Sequence, residues 1–156
     1  MRIPEKIEGE PVTSIGRVSR SSVYGAFSGS GIMEIYIPNT MTIIGEGAFS
    51  NCTGLTSINL PENLTSIENK AFWGCTGLMN ITIPNGVTKI GGWAFNSCTG
   101  LTSITIPESV TRIGDLAFEN CESLTNVTYK GITYSYNNDI RIRDFSQEFY
   151  DAVNGK

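Results

Sequence analysis

The chain has 156 residues, with 11 basic and 15 acidic side chains, a formal net charge of -4 and no histidine. With no cluster of Lys or Arg it lacks the electrostatic footprint of a nucleic-acid or anionic-lipid binder, and no apolar run approaches the roughly 20 residues of a membrane span. The missing imidazole removes every Ser-His, Cys-His and His-metal arrangement. Carboxylate pairs remain, but aspartates are few, most acids fall at turn positions and no glycine-rich phosphate loop or calcium repeat appears, so we expect no enzyme, no cofactor and no metal.

A single period organises the rest. Leu55 recurs as Leu78, Leu101 and Leu124 and, one step back, as Ile32, always 23 residues apart. The same step relates Ile58, Ile81, Ile104 and Val127, then Phe72, Phe95 and Phe118, then Cys52, Cys75, Cys98 and Cys121. A fixed period of this length marks a solenoid, which buries its core rung by rung.

In chain order, the segment from Ile3 to Gly16 is repeat-like but irregular, and is expected to cap the first rung, whose outer face meets water. Gly16 to Phe27 spans eleven residues where Gly91 to Phe95 takes four, which places about seven extra residues between Arg17 and Tyr24. The insertion predicts a protruding loop, either a solvated excursion or a contact for a partner.

Each repeat then opens on L-x-x-I-x-L, an alternation that predicts a short half-buried strand with Ile58 and Leu60 pointing one way and Ser57 and Asn59 the other. Stacked at roughly 4.8 Å per rung, five such strands would form one parallel sheet. Proline follows because it cannot donate to a further ladder bond. A second extended piece, Val87 to Ile90, ends at Gly91, where a turn with φ > 0 is expected, although Glu68 occupies the same place in another repeat. The compact segment from Trp93 to Cys98 carries the phenylalanine, and Phe27, Phe49, Phe72, Phe95 and Phe118 are expected to form a buried stack.

The four cysteines fall at one repeat position. Parallel Cβ vectors on stacked rungs keep the Cβ atoms near 5 Å apart, beyond the roughly 3.5–4.5 Å a disulfide needs. A linear ladder also converges on no point where a metal would sit. Buried free thiols are the expectation.

Past Val127, Tyr129 to Tyr136 reads as an extended segment or hairpin and Asn137-Asn138-Asp139 as a turn. Asp144 offers an N-cap with Gln147 three residues on, Phe145, Phe149, Ala152 and Val153 share a helical stripe, and Gly155 can end the helix. This C-terminal helix should cover the last rung.

The repeat L-x-x-I-x-L-P-x-x-[LV]-T-x-I-G-x-x-A-F-x-x-C, written out at Leu101 to Cys121 as LTSITIPESVTRIGDLAFENC, resembles the BspA-type leucine-rich repeat family of bacterial surface proteins. The resemblance implies a right-handed leucine-rich-repeat solenoid of about five rungs with a short parallel sheet and little helix. On this reading 1–31 are the N-terminal cap and irregular first repeat, 32–128 the repeats and 129–156 the C-terminal cap. It further implies a non-catalytic binding or adhesion module for a protein or glycan, displayed at the cell surface or secreted, with its export signal outside this chain. A cytoplasmic protein and a spacer that displays other domains are the alternatives.

Candidate contact residues are the exposed positions that depart from the repeat. On the strand face most such positions are small and polar, and Met33, Tyr36 and Met79 are the exceptions. Trp73 and Trp93 stand where other repeats carry Ser50, Asn96 or Glu119, and Gly47, Lys70 or Leu116, so the core does not require an indole at either. They either cover the turn by partial burial or form a binding patch with Leu116.

Overall fold

The computed structural model describes residues 1–16, 25–137, 144–145 and 147–155. The expected insertion at Arg17 to Tyr24 and the turn through Asn138 and Asp139 lie outside the described residues. The chain is a solenoid with two hydrogen-bonded ladders and one column of stacked turns, and its core runs up the middle.

The first element is a hairpin of β1 (Lys6–Ile7) and β2 (Glu10–Pro11). Its two turn residues, Glu8 and Gly9, both have positive φ, at 51° and 88°, the handedness that suits the twist of paired strands. Then β3 (Ser14–Ile15), β4 (Ile43–Ile44), β5 (Ser66–Ile67), β7 (Lys89–Ile90) and β9 (Arg112–Ile113) stack in parallel and in register, with Ile15, Ile44, Ile67, Ile90 and Ile113 in one row. Five levels bound four complete turns of the solenoid.

This ladder comes from the second extended piece of each repeat. The L-x-x-I-x-L segments, expected to supply the five-stranded sheet, make a single parallel bridge in the first of them, from Tyr36 to Arg2, and form strands only in the later rungs, as β6 (Asn80–Thr82), β8 (Ser103–Thr105) and β10 (Asn126–Tyr129). In the rung before, the position held by the buried β-branched Ile83 and Ile106 carries Leu60, which is less well buried. A γ-branched side chain fits the pleated surface less well, and a cleft of about 340 Å³ opens between Ser57–Leu60 and Asn80–Pro84. The sheet continues through β11 (Ile132–Asn137) and β12 (Asp144–Phe145), both antiparallel to their neighbours. The β10–β11 hairpin turns on Lys130 and Gly131, again both at positive φ.

On the third side each rung makes consecutive tight turns with no strand. The amides of Ala48, Ser50 and Cys52 close onto the carbonyls of Gly45, Gly47 and Phe49, while those of Gly47, Phe49 and Asn51 donate to Asn69, Ala71 and Trp73 in the next rung. Every main-chain donor of the segment is thereby used, half of them along the solenoid axis. The alternation requires left-handed backbone at two positions per rung, occupied by Gly47, Lys70, Trp93 and Leu116 and by Asn51, Gly74, Ser97 and Asn120. Gly91, expected to hold that conformation, does not. It is small because a Cβ there would strike the main-chain nitrogen of Asn69 in the rung below.

The phenylalanine stack runs through the centre of the turns, with ring centroids 5.3–5.5 Å apart and planes within 11°. Phe49, Phe72, Phe95 and Phe118 are fully buried; Phe27, expected to be buried with them, is the outermost ring and only partly covered.

At the other end Phe145 meets Phe118 edge-on, with centroids 5.6 Å apart, and Phe149 tilts against both. Phe149 lies on α1 (Gln147–Asn154), which ends at Gly155 with φ 72°. Two expectations for this helix are corrected. Asp144 and Phe145 are in β12, paired with Asn137 and Tyr136, so Asp144 does not cap the helix and Phe145 does not extend its stripe; Ala152 is exposed, leaving Phe149 and Val153 as the buried face.

The cap reproduces, with side chains, the bonds a further rung would make. The Asn154 carboxamide accepts from the Ile113 amide at 2.8 Å and donates to the Ile113 carbonyl at 3.1 Å, closing the edge of β9. The Tyr136 hydroxyl accepts from the Cys121 amide at 2.8 Å and donates to the Phe118 carbonyl, and the Tyr129 hydroxyl donates to Val110.

Candidate functional site

On the turn side, positions one repeat apart sit on adjacent rungs and fall into two columns, in which Trp73, Trp93 and Leu116 are exposed while Gly47, Ser50 and Asn96 are buried. One column is Gly47, Lys70, Trp93 and Leu116; the other is Ser28, Ser50, Trp73, Asn96 and Glu119. Trp73, Trp93 and Leu116 are 38, 39 and 38% exposed, half of each side chain packed and half offered to solvent.

The second column is a chain of hydrogen bonds. Ser28 and Ser50 pair at 2.7 Å, Trp73 Nε1 donates to Asn96 Oδ1 at 3.0 Å, and Asn96 Nδ2 donates to Glu119 Oε2 at 2.6 Å. Ser97 Oγ also donates to Asn96 Oδ1 at 2.8 Å. The indole of Trp73 is therefore fixed by its nitrogen, while its carbon framework stays half open. Trp93 is held differently, with Lys70 Nζ 5.6 Å from its ring centroid in a cation–π contact.

The first column carries conformational strain. Lys70, Trp93 and Leu116 have φ of 56°, 54° and 56°, where glycine, as at Gly47, sits without penalty. Left-handed backbone costs a side-chain-bearing residue roughly 1–2 kcal/mol.

Met33, Tyr36 and Met79 are exposed too, at 69, 47 and 52%, but they belong to the strand side. The guanidinium of Arg2 lies 4.6 Å from the Tyr36 ring centroid, and Tyr36 helps to line a cleft of about 450 Å³ with Met1, Asn59 and Pro61. The six candidates therefore fall into two groups on different sides of the rung. Lys70, Asn96 and Glu119 were not singled out from the sequence, although the polar residues aligned with Trp73 in other repeats carry the signal. Exposed Ile43 and Ile132 were missed as well.

The thiols offer no reactive site. All four cysteines are buried and free, and burial raises every one above the ordinary thiol value, Cys75 and Cys121 to about 12. The thiolate that nucleophilic or redox chemistry needs is scarce at neutral pH under such conditions. Among the described residues no group of three or more His, Cys, Asp or Glu is gathered to hold a metal, and no helix is long and apolar enough to cross a membrane.

Against known proteins, residues 23–141 match the BspA type leucine rich repeat region in six copies. The chain belongs to the BspA-type leucine-rich repeat family. Among solved structures it is similar to the T. pallidum leucine rich repeat protein TpLRR, at 34% identity and TM-score 0.74, the match covering 81% of this chain and 56% of that one. It is also similar to a leucine-rich repeat protein from Bacteroides ovatus, at 42% identity and TM-score 0.71, over 81% of this chain and 32% of that one. The pneumococcal vaccine antigen PcpA shares 26% identity at TM-score 0.57, over 67% and 26%. This BspA-type chain thus spans about half or less of the length of these relatives. No curated protein matches it.

Proposed function

We propose that this BspA-type chain is a non-catalytic recognition module, displayed at the cell surface or secreted, that takes a protein or glycan partner on its turn side through Trp73, Trp93 and Leu116. The observation that carries the reading is the pair of half-exposed indoles on adjacent rungs, at positions where other repeats do without them. Fixed aromatic rings bury much apolar area at little entropic cost, and Trp is over-represented among residues that dominate interfaces. The family membership and a vaccine antigen among the relatives support surface presentation.

The test is binding of the chain to immobilised panels of glycans and extracellular proteins. Replacing both indoles with residues found at their positions in other repeats, Trp73→Asn with Trp93→Lys, is expected to weaken binding by about 2 kcal/mol or more, the scale of an interface hot spot. Thr82→Ala with Thr105→Ala, on the strand side, is expected to change it little. Loss of binding through the threonine pair and not the tryptophan pair would move the site to the strand side, beside Met33, Tyr36 and Met79. A chain that binds no member of either panel is better read as a spacer.

A further inference from the structure

The dipeptide Asn-Gly occurs twice in the chain, at Asn85-Gly86 and Asn154-Gly155, and the fold gives the two copies opposite surroundings. We propose that Asn85 is a site of spontaneous covalent modification, deamidation through a cyclic imide, and that Asn154 is protected from the same reaction by its latch on Ile113.

Glycine after asparagine is the least hindered partner for this chemistry. The main-chain nitrogen of Gly86 attacks the carboxamide carbon of Asn85 and loses its proton, while the carboxamide nitrogen leaves as ammonia. A five-membered succinimide results. Water then opens it at one of two C–N bonds. Breaking the bond to the former side-chain carbon gives aspartate; breaking the bond to the main-chain carbon gives isoaspartate, with the chain rerouted through the side chain. Nothing is oxidised or reduced, and water is the one co-reactant.

At residue 85 the structure leaves this path open. Asn85 and Gly86 are exposed central residues of the turn that the Val87 amide closes onto the Pro84 carbonyl at 3.0 Å. Among the described residues neither the Asn85 side chain nor the Gly86 amide has a hydrogen-bond partner. The equivalent second residue in other repeats is Thr40, Asn63 or Ser109, so this repeat alone lacks a side chain beside the attacking nitrogen. At residue 154 both carboxamide atoms are engaged, accepting at 2.8 Å and donating at 3.1 Å on Ile113. Attack by Gly155 there requires both bonds to break and the helix end to lift, a local opening that the fold makes rare.

The product puts a carboxylate on the surface. In the isoaspartate form it also lengthens the main chain beside Gly86, where a Cβ would already lie 2.8 Å from the Leu64 carbonyl of the rung below.

The experiment is incubation of the full folded chain at mildly alkaline pH, followed by peptide mapping and detection of isoaspartate. Product is expected to accumulate at Asn85 and to form at Asn154 at least about tenfold more slowly, since two hydrogen bonds must open first. In denaturant the two rates are expected to converge. Gly86→Ser places at this turn the residue that the next repeat carries as Ser109, whose hydroxyl donates to the Val87 carbonyl at 2.8 Å, and it is expected to suppress the reaction at residue 85 alone. Equal rates in the folded chain, or an Asn85 that survives folded while both sites react in denaturant, overturn the proposal whether or not the serine variant folds.

Discussion

The thiol of Cys75 donates to the carbonyl of Phe49 at 3.0 Å, one rung back, and the same carbonyl accepts the Cys52 amide at 3.1 Å. Cys98 and Cys121 repeat the arrangement on Phe72 and Phe95, and Cys52 donates likewise to Phe27. The cysteine position thus joins rungs through a carbonyl with room for two donors, at a fully buried site.

This arrangement predicts unreactive, reduced thiols. Iodoacetamide in denaturant without reductant is expected to modify all four cysteines, and in buffer to modify them far more slowly, because burial holds the thiolate fraction down. Mass spectrometry showing two or fewer modified cysteines in denaturant would mean disulfides and overturn the ladder.

Phe95 has an aromatic ring stacked on either side, at 5.3 and 5.5 Å, and no exposed surface. Phe95→Ala is therefore expected to cost roughly 3–5 kcal/mol. In an array each rung is supported only by its neighbours, so the loss should break the solenoid into two. A melting temperature within a degree or two of the parent chain would contradict it.

Asp144 gives the cap a pH dependence. Its carboxyl is buried and raised from the ordinary 3.8 to about 6, mainly by burial, which outweighs its bonds from the Tyr150 hydroxyl and the Phe145 amide, each 2.7 Å long; the Glu119 carboxylate adds a smaller upward push. A carboxyl that binds its proton more tightly when folded stabilises the fold fully below the unfolded value, and that contribution is lost as pH rises through about 6. The difference between 3.8 and about 6 corresponds to roughly 3 kcal/mol at most. Melting curves between pH 4 and 7.5 should show the parent losing stability, relative to Asp144→Asn, as pH rises. Parallel pH profiles for the two chains would remove Asp144 as the cause.

Tyr136 and Asn154 complete the last rung. Tyr136→Phe leaves the Phe118 carbonyl without its cap donor, and Asn154→Ala exposes both main-chain groups of Ile113, so each is expected to cost about 1–3 kcal/mol. Hydrogen exchange should show the opening confined to β9, β11, β12 and α1. Protection lost evenly along the solenoid would argue against a local cap.

The 23-residue period by itself determined the solenoid, the central phenylalanine column and the clustering of cysteines beneath the turns, because a repeated pattern must place like residues on like sites. Which extended piece becomes the continuous ladder was decided in three dimensions, because pairing depends on which backbone groups meet the rungs above and below. The second piece pairs at every level from Ser14 to Ile113, the first as strands only from Asn80 onward. Gly91 shows the same limit. Its smallness was legible, but the cause, an approaching main chain 22 residues away, was not, and the true left-handed positions carry Lys70, Trp93 and Leu116. The exceptions at Trp73 and Trp93 were visible as departures from the repeat, whereas their half exposure and the bond from Trp73 to Asn96 depend on how the rungs stack. Asp144 marks the boundary most clearly. Read locally it precedes a helix and should cap it, but burial against Tyr150 and pairing with β11 outweigh a local preference worth about 1 kcal/mol.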